Sequence, residues 1–386
     1  MINEHMPLNV AFLGGGINSA VGNVHRIALE MDNRFKLVSG CFSQSANINR
    51  ESGKAYQIEP SRIHSSLTDL IKNEQGKIDA IIILTPIPDH KDHIIKCCES
   101  KIPVICEKSL ALSSSECYEI SNCIKKNNSF LSAIYNYSGY PMIRELKHMI
   151  NQGRLGVIHQ LHIEMPQETY IKVDQKGGVP KPQDWRVRKK MPNIISLDLG
   201  AHLHHLITFL TQQSCLELIA TEQQYGNFQD IIDNVTCIAN FTNNINCNIW
   251  YSKCAIGNQN GLKVRVFGSK GAAQWVQENP EILNLATNAG ESFNIHRANS
   301  NISIANQSRY QRFKPGHPSG FIEAFANVYN SAAVAIRDEI AGKFPRKSGY
   351  DYPDIRDGII GMAFIETVVK SSNSKQKWVK FPAIPK

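Results

Sequence analysis

A chain of 386 residues, 42% apolar, is long enough for two ordinary domains and apolar enough to give each a core. No run approaches the ~18 consecutive apolar residues of a membrane helix, and the opening MINEHMPLN lacks an apolar signal core, so the expected location is the cytoplasm. The formal charge of +8, from 42 basic and 34 acidic side chains, is modest and comes with no nucleic-acid motif, which argues against a nucleic-acid partner. Ten cysteines scattered without a C-x-x-C pair read as reduced, mostly buried thiols.

In chain order, the apolar strand LNVAFL (8–13) runs into three glycines, and a helix is expected over 21–31, where Val21, Val24, Ala28 and Met31 share a face. A strand over 36–42 completes a βαβ unit. A short helix starts near residue 66, with Ser65 or Ser66 as its cap. The β-branched run over 78–84 suits a central parallel strand buried on both faces, ending at Thr85-Pro86. A helix over 90–100 is followed by a strand over 103–106 that delivers Glu107 and Lys108, then a helix over 113–126 and a strand over 129–134. This alternation predicts a doubly wound parallel α/β domain over residues 1–135.

The pattern changes after Tyr135. A helix over 142–152 precedes strands over 157–165, 235–240, 245–251 and 262–268, separated by turn residues. Strands with few helices between them imply an open, mostly antiparallel sheet in a second domain, 136–386. Residues 166–193 and 278–319, rich in Gly, Pro, Asn and Ser, are expected to be loops, with helices over 320–340 and 355–371.

Gly14, Gly15 and Gly16, followed by Asn18 and Ser19, suit a tight turn under a dinucleotide's pyrophosphate, where a helix N-terminus offers N–H groups and a positive dipole end. In the G-x-G-x-x-G register Ser19 takes the third glycine's place. Ligands of doubly wound sheets lie beyond the strands' carboxyl ends, which is where Thr85, Pro86, Glu107 and Lys108 also fall. The second strand ends in Gly40-Cys41-Phe42-Ser43, without the acid that favours NAD. Ser43 and Ser45 suit a ribose hydroxyl or a phosphate, so NAD and NADP both stay open.

Asp198 and His202 are four apart and share a face if the segment is helical. The carboxylate can orient a substrate hydroxyl or hold the imidazole, and the imidazole can take the hydroxyl proton. Lys108, as ammonium, can donate to the same oxygen. His205 binds substrate or lines the site, and His204 reads as a packing residue. Asp198, His202 and His205 also spell a divalent-metal face, but a site would need a further ligand and would leave the glycine turn unexplained, so no metal is expected. His90 and His93 read as a solvated helix start. Trp185 and Arg186 either cap the substrate or anchor a loop, and the basic run RVRKK (186–190) fits a small anionic substrate.

The ordered set GGGxxSxxGxxHR from Gly14, TP at Thr85, EK at Glu107, YNYSGYP at Tyr135, DLGAHLHH at Asp198 and GHPSGFIEAFANVY at Gly316 resembles the Gfo/Idh/MocA oxidoreductases, the family of glucose-fructose oxidoreductase and inositol dehydrogenase. The resemblance implies a Rossmann domain holding a pyridine nucleotide and a second domain supporting a sugar or cyclitol site. It also implies reversible oxidation of a hydroxyl, with Lys108, Asp198 and His202 facing the substrate. Either Lys108 or His202 then serves as the principal acid/base. Relatives pair subunits through the second domain's sheet, which implies a homodimer or homotetramer. Ser109 stands where the family has a proline after the lysine, a bond used there in the cis form, so Lys108-Ser109 is either cis or differently directed. The alternative reading is a catalytically silent nucleotide-binding regulator or partner protein of the same fold.

Overall fold

The computed structural model describes residues 6–183, 192–343 and 351–384. The chain forms two units: residues 1–139 with 321–359, and residues 140–320 with 360–386. In the first, strands β1 (Leu8–Gly14), β2 (Phe35–Cys41), β3 (Ala80–Leu84), β4 (Val104–Glu107) and β5 (Leu131–Ile134) lie in the order β2-β1-β3-β4-β5. All their pairings are parallel. Helices α1 (Gly22–Glu30), α2 (Ala46–Ala55), α3 (Leu67–Glu74), α4 (Ile87–Glu99) and α5 (Ser114–Asn127) fill the crossovers. The sequence AIIIL of β3 is buried at every residue, as a strand covered on both faces requires. Ser66 and Ser113 cap α3 and α5, accepting the N–H groups of Asp69 and Glu116. Strand order reverses between β1 and β3, so this is the doubly wound domain expected from the sequence.

Sequence order placed residues 321–340 in the second domain, but α8 (Phe321–Ile340) belongs to the first unit. Its Phe325, Val328, Tyr329, Ala332 and Ile336 share one core with Val10, Phe12, Leu29 and Phe35. An apolar helix face is buried wherever complementary apolar surface exists, and its place along the chain does not say where that is.

The second unit holds a nine-stranded sheet. It comprises β6 (Ile158–Pro166), β7 (Cys215–Gln223), β8 (Asn234–Phe241), β9 (Ile245–Ser252), β10 (Lys263–Gly268), β11 (Gly271–Val276), β12 (Ile282–Thr287), β13 (Ser292–His296) and β14 (Val379–Lys380). The order is β13-β12-β11-β10-β6-β9-β8-β7-β14; β6 and β9 pair in parallel and the other pairs are antiparallel. One face, with Leu161, Ile163, Val264, Val266, Trp275 and Leu283, is buried. Helices α6 (Pro141–Asn151) and α7 (Ala201–Thr211) pack against this sheet.

On the opposite face, the register lines up Ile238, Asn248, His162, Arg265, Gln274, Asn284 and Asn294 across seven strands. Asn284 donates to Asn294 at 2.6 Å, and Asn248 meets His162 at 3.2 Å. This polar row corrects the loop expected over 278–319. There the asparagines belong to the outward face of β12 and β13, while Leu283, Leu285 and Ile295 point to the core. A last helix, α9 (Ile355–Ser372), completes the fold. Among the described residues no helix is long and apolar enough to cross a membrane. Eight of the ten cysteines are buried, in line with the mostly buried thiols expected.

Candidate active site

At the end of β1, Gly14 and Gly15 take φ values of +82° and +71°, a region costly for any side chain. A Cβ on Gly14 would also lie 2.8 Å from the Leu84 carbonyl, so the ends of β1 and β3 meet only because that position is bare. The turn is held from α2: the Tyr56 hydroxyl donates to the Gly15 carbonyl at 2.8 Å, and the Ser52 hydroxyl accepts the Ile17 N–H at 3.0 Å. A Cβ on Gly16 would lie 2.9 Å from that Ser52 oxygen. Helix α1 starts only at Gly22, where a Cβ would fall 2.1 Å from the Gly15 carbonyl oxygen. The close-packing glycine of the nucleotide turn is therefore Gly22, not the residue at the place of Ser19. Ser19 acts as a cap instead, accepting the N–H groups of Val21 at 3.3 Å and Gly22 at 3.2 Å.

These features fit a dinucleotide. The turn is bare, it opens beyond the carboxyl ends of β1 and β3, and it leads into a helix N-terminus. Asn18 lies in this turn. Beyond β2, residues 42–50 contain no acidic side chain. The Ser43 hydroxyl accepts the Ser45 N–H, and Ser45 caps α2.

Thr85 and Pro86 close β3. His90, expected as part of a solvated helix start, is instead fully buried. Its Nε2 lies 2.7 Å from the Thr85 carbonyl and its Nδ1 lies 2.8 Å from the Ser109 carbonyl, so one ring bridges the segments after β3 and β4. Burial holds this imidazole below the usual histidine range, although both carbonyls pull the other way. His93 meets the Thr85 hydroxyl at 3.1 Å. The Lys108-Ser109 bond is cis.

Glu107 points back onto α1. Its Oε1 lies 2.9 Å from His25 Nε2, and its Oε2 accepts the Lys108 N–H at 3.1 Å. His25 Nδ1 in turn meets the Tyr329 hydroxyl of α8 at 2.7 Å. The His25–Glu107 approach is an ion-pair distance without good hydrogen-bond alignment at the ring nitrogen. Sequence reasoning had Glu107 but not His25 or Tyr329, although His25 falls inside the quoted motif.

In the second unit, the segment 196–200 winds as a single π-helical turn before α7. Such turns are frequent at functional sites. Gly200 lets this turn approach Tyr251, whose ring carbon would lie 2.9 Å from an added Cβ, and Ser196 meets the Tyr251 hydroxyl at 2.9 Å. Asp198 projects from the turn and pairs with Lys253 Nζ at 2.6 Å. Lys253 was missed; it is a lone lysine after β9, with no motif to flag it.

His202 and His205 are buried on α7, 7% and 5% exposed, and His205 stacks on Phe209. His204 is a packing residue, as expected. Its ring stacks on Phe364 at 4.7 Å, and burial pushes its pKa down to about 3. Among the described residues no three His, Cys, Asp or Glu side chains are grouped as a metal site would need. Trp185, Arg186 and the 186–190 basic run lie outside the described residues.

Comparison with known proteins follows this division. Residues 8–135 match the oxidoreductase family with an NAD-binding Rossmann fold, and residues 143–274 match the GFO/IDH/MocA C-terminal domain. An uncharacterized oxidoreductase, YfiI, of Bacillus subtilis is 27% identical, with 97% of each chain covered. A levoglucosan dehydrogenase of Pseudarthrobacter phenanthrenivorans is 22% identical over 98% of this chain and 99% of its own. Among solved structures, an inositol dehydrogenase homologue of Azotobacter vinelandii, complexed with NADH and myo-inositol, superposes with a TM-score of 0.90. It is 26% identical, with 97% of this chain and 98% of that chain covered. The first unit is thus an NAD-binding domain, and the chain belongs to the Gfo/Idh/MocA oxidoreductase family.

Proposed function

We propose that the protein is an NAD-dependent dehydrogenase that oxidises a secondary hydroxyl of a cyclitol or sugar-like polyol. The observation that carries this reading is the end-to-end likeness to the inositol dehydrogenase homologue complexed with NADH and myo-inositol, with a TM-score of 0.90. Lys108 and the Asp198–His202 pair stand at the positions where the family's motifs put substrate-facing groups.

Gly14, Gly15, Gly16, Asn18 and Ser19 at the turn, Ser43 after β2, and Thr85, Pro86, Glu107 and Lys108 after β3 and β4 would hold NAD+, which when bound would supply the hydride acceptor. The chain's own residues handle the proton. As a carbinol carbon gives up hydride, its oxygen must lose a proton, which passes to His202 as a neutral imidazole with the Lys108 ammonium donating to the oxygen, or to Lys108 acting instead as a neutral amine. Asp198 accepts a hydrogen bond from a substrate hydroxyl and fixes the ring's orientation. His205, with Trp185 and Arg186, completes the proposed substrate contacts. The polar outer face of the second unit's sheet, with Arg265 and Phe267 on it, is the proposed pairing surface for a second copy in a homodimer or homotetramer.

Absorbance of reduced nicotinamide, followed with NAD+ against a panel of cyclitols, sugars and sugar derivatives, tests the reading. Turnover on a polyol is expected. A protein that binds NADH and stays silent across the panel would instead be a nucleotide-binding regulator of the same fold.

A further inference from the structure

We propose that Asn136 is a cofactor-binding residue, its Nδ2–H group donating to the carboxamide oxygen of the nicotinamide ring. This rests on the reading that places NAD+ at the β1 turn. Asn136 lies in the YNYSGYP segment that begins at Tyr135. A buried amide N–H needs an acceptor, because burial strips it of water with nothing in return. Four asparagines are buried among the described residues: Asn49, Asn136, Asn234 and Asn327. Three of them donate from Nδ2 to a protein oxygen: Asn49 to the His64 carbonyl at 2.8 Å, Asn234 to the Gln223 side chain at 2.9 Å and Asn327 to the Gly139 carbonyl at 2.8 Å. Asn136 is 2% exposed, and its Nδ2 meets no acceptor among the described residues. No internal bond explains why this position holds an amide.

The strand register says where the amide stands. Gly14 is level with Leu84, Ile83 with Cys106, and Glu107 with Ile134, so the carboxyl ends of β1, β3, β4 and β5 form one row. Asn136 comes two residues after Ile134, where β5 ends, and β5 runs about 5 Å from β4, which delivers Glu107 and Lys108. A dinucleotide on such a sheet puts its adenosine ribose beyond β2 and its pyrophosphate at the β1 turn. Because β2 and β3 flank β1 on opposite sides, the nicotinamide half extends over β3, β4 and β5. The hydrogen-bonding group of that ring is its carboxamide, whose oxygen is an acceptor.

Helix α8 holds the amide in place. Asn136 opens a short 3-10 turn, Asn136–Gly139, and a Cβ on Gly139 would lie 2.0 Å from the Ala324 carbonyl oxygen of α8. Asn327, also on α8, clasps the carbonyl of the same glycine. The unsatisfied N–H is thus a fixed donor, which binds an acceptor without first having to be ordered. In the nucleotide-free protein the same N–H is a defect. Removing it should therefore weaken nicotinamide binding without weakening the fold.

The test uses the full chain with Asn136→Leu, which keeps the volume and removes the amide, and with Asn136→Ala. NADH and ADP-ribose, which lacks the nicotinamide, are titrated by calorimetry, and thermal melts are run without nucleotide. NADH affinity is expected to fall by roughly 5- to 10-fold, the scale of one lost hydrogen bond, with ADP-ribose affinity unchanged. Nucleotide-free Asn136→Leu is expected to melt at or above the wild-type temperature, since an unpaired polar group gives way to an apolar one. Unchanged NADH affinity in both variants overturns the proposal alone, and so does an equal loss for NADH and ADP-ribose. A melting temperature lowered in both variants, or failure of both to fold, marks the asparagine as one the fold needs and overturns it too. A wild type that binds neither ligand overturns the cofactor reading first, and this proposal with it.

Discussion

Gly22→Ala puts one methyl group at the point where α1 meets the nucleotide turn. The added Cβ would stand 2.1 Å from the Gly15 carbonyl oxygen, and ordinary contact begins near 3.4 Å, so helix and turn must part by more than 1 Å. Gly15 cannot yield freely: its carbonyl is tied to the Tyr56 hydroxyl, and the next residue but one is tied to Ser52. Overpacking of this kind costs roughly 1–3 kcal/mol. If the strain falls on the geometry that receives the pyrophosphate, NADH affinity drops by roughly 5- to 150-fold. If it falls on folding, the melting temperature drops by about 2–4 °C per kcal/mol for a unit of this size. NADH fluorescence titration and a thermal melt of one preparation read both terms. A variant unchanged in both would refute the placing of Gly22 as the close-packing glycine of the turn.

Lys108→Ala and His202→Ala should each leave NADH affinity intact and lower kcat by roughly 10² to 10⁴, the usual scale for removing an acid/base group; wild-type kcat in both would place the chemistry elsewhere. Gly16→Val should abolish NADH binding, since a side chain there runs into Ser52 and Phe42, and unchanged affinity by titration would sink the cofactor site. His204 stays neutral when folded, with its pKa lowered from 6.5 to about 3. Below pH 6.5 the unfolded chain therefore binds a proton that the folded one does not, and stability falls with pH. The loss between pH 6.5 and 5 is about 2 kcal/mol. His204→Phe keeps the stack on Phe364 and should remove that slope from denaturant melts at the two pH values. An unchanged slope would contradict the burial argument.

The parts of the fold carried by local pattern were legible. The turn at Gly14–Gly16, the buried run of β3 and the cap at Ser66, one of the two serines the sequence offered, each follow from residues within a few positions of one another. What depended on distant partners was not. Helix α8 has an apolar face whichever unit receives it. In β12 and β13 the asparagines mask strands because each is satisfied across the sheet by its neighbour. His90 illustrates the same limit at the site: Ile87, His90, Ile94 and Cys97 share a buried helix face, yet a histidine flanked by aspartates reads as solvent-facing until two carbonyls are found for its ring. Lys253 carries no motif, and its importance comes from where β9 ends relative to the π turn at Asp198. In the same way Gly22 was visible as a glycine, but its role required knowing that α1 starts there.

Hydride transfer itself is the most direct measurement of the central claim. Wild-type protein is incubated with NAD+ and a panel of cyclitols and sugars deuterated at their carbinol carbons, and the nucleotide is then weighed by mass spectrometry. The account predicts reduced nucleotide carrying one deuterium, delivered as deuteride from a polyol, with the carbonyl product in equal amount. A nucleotide that stays bound and unreduced with every polyol, or that is reduced without gaining label, would contradict it.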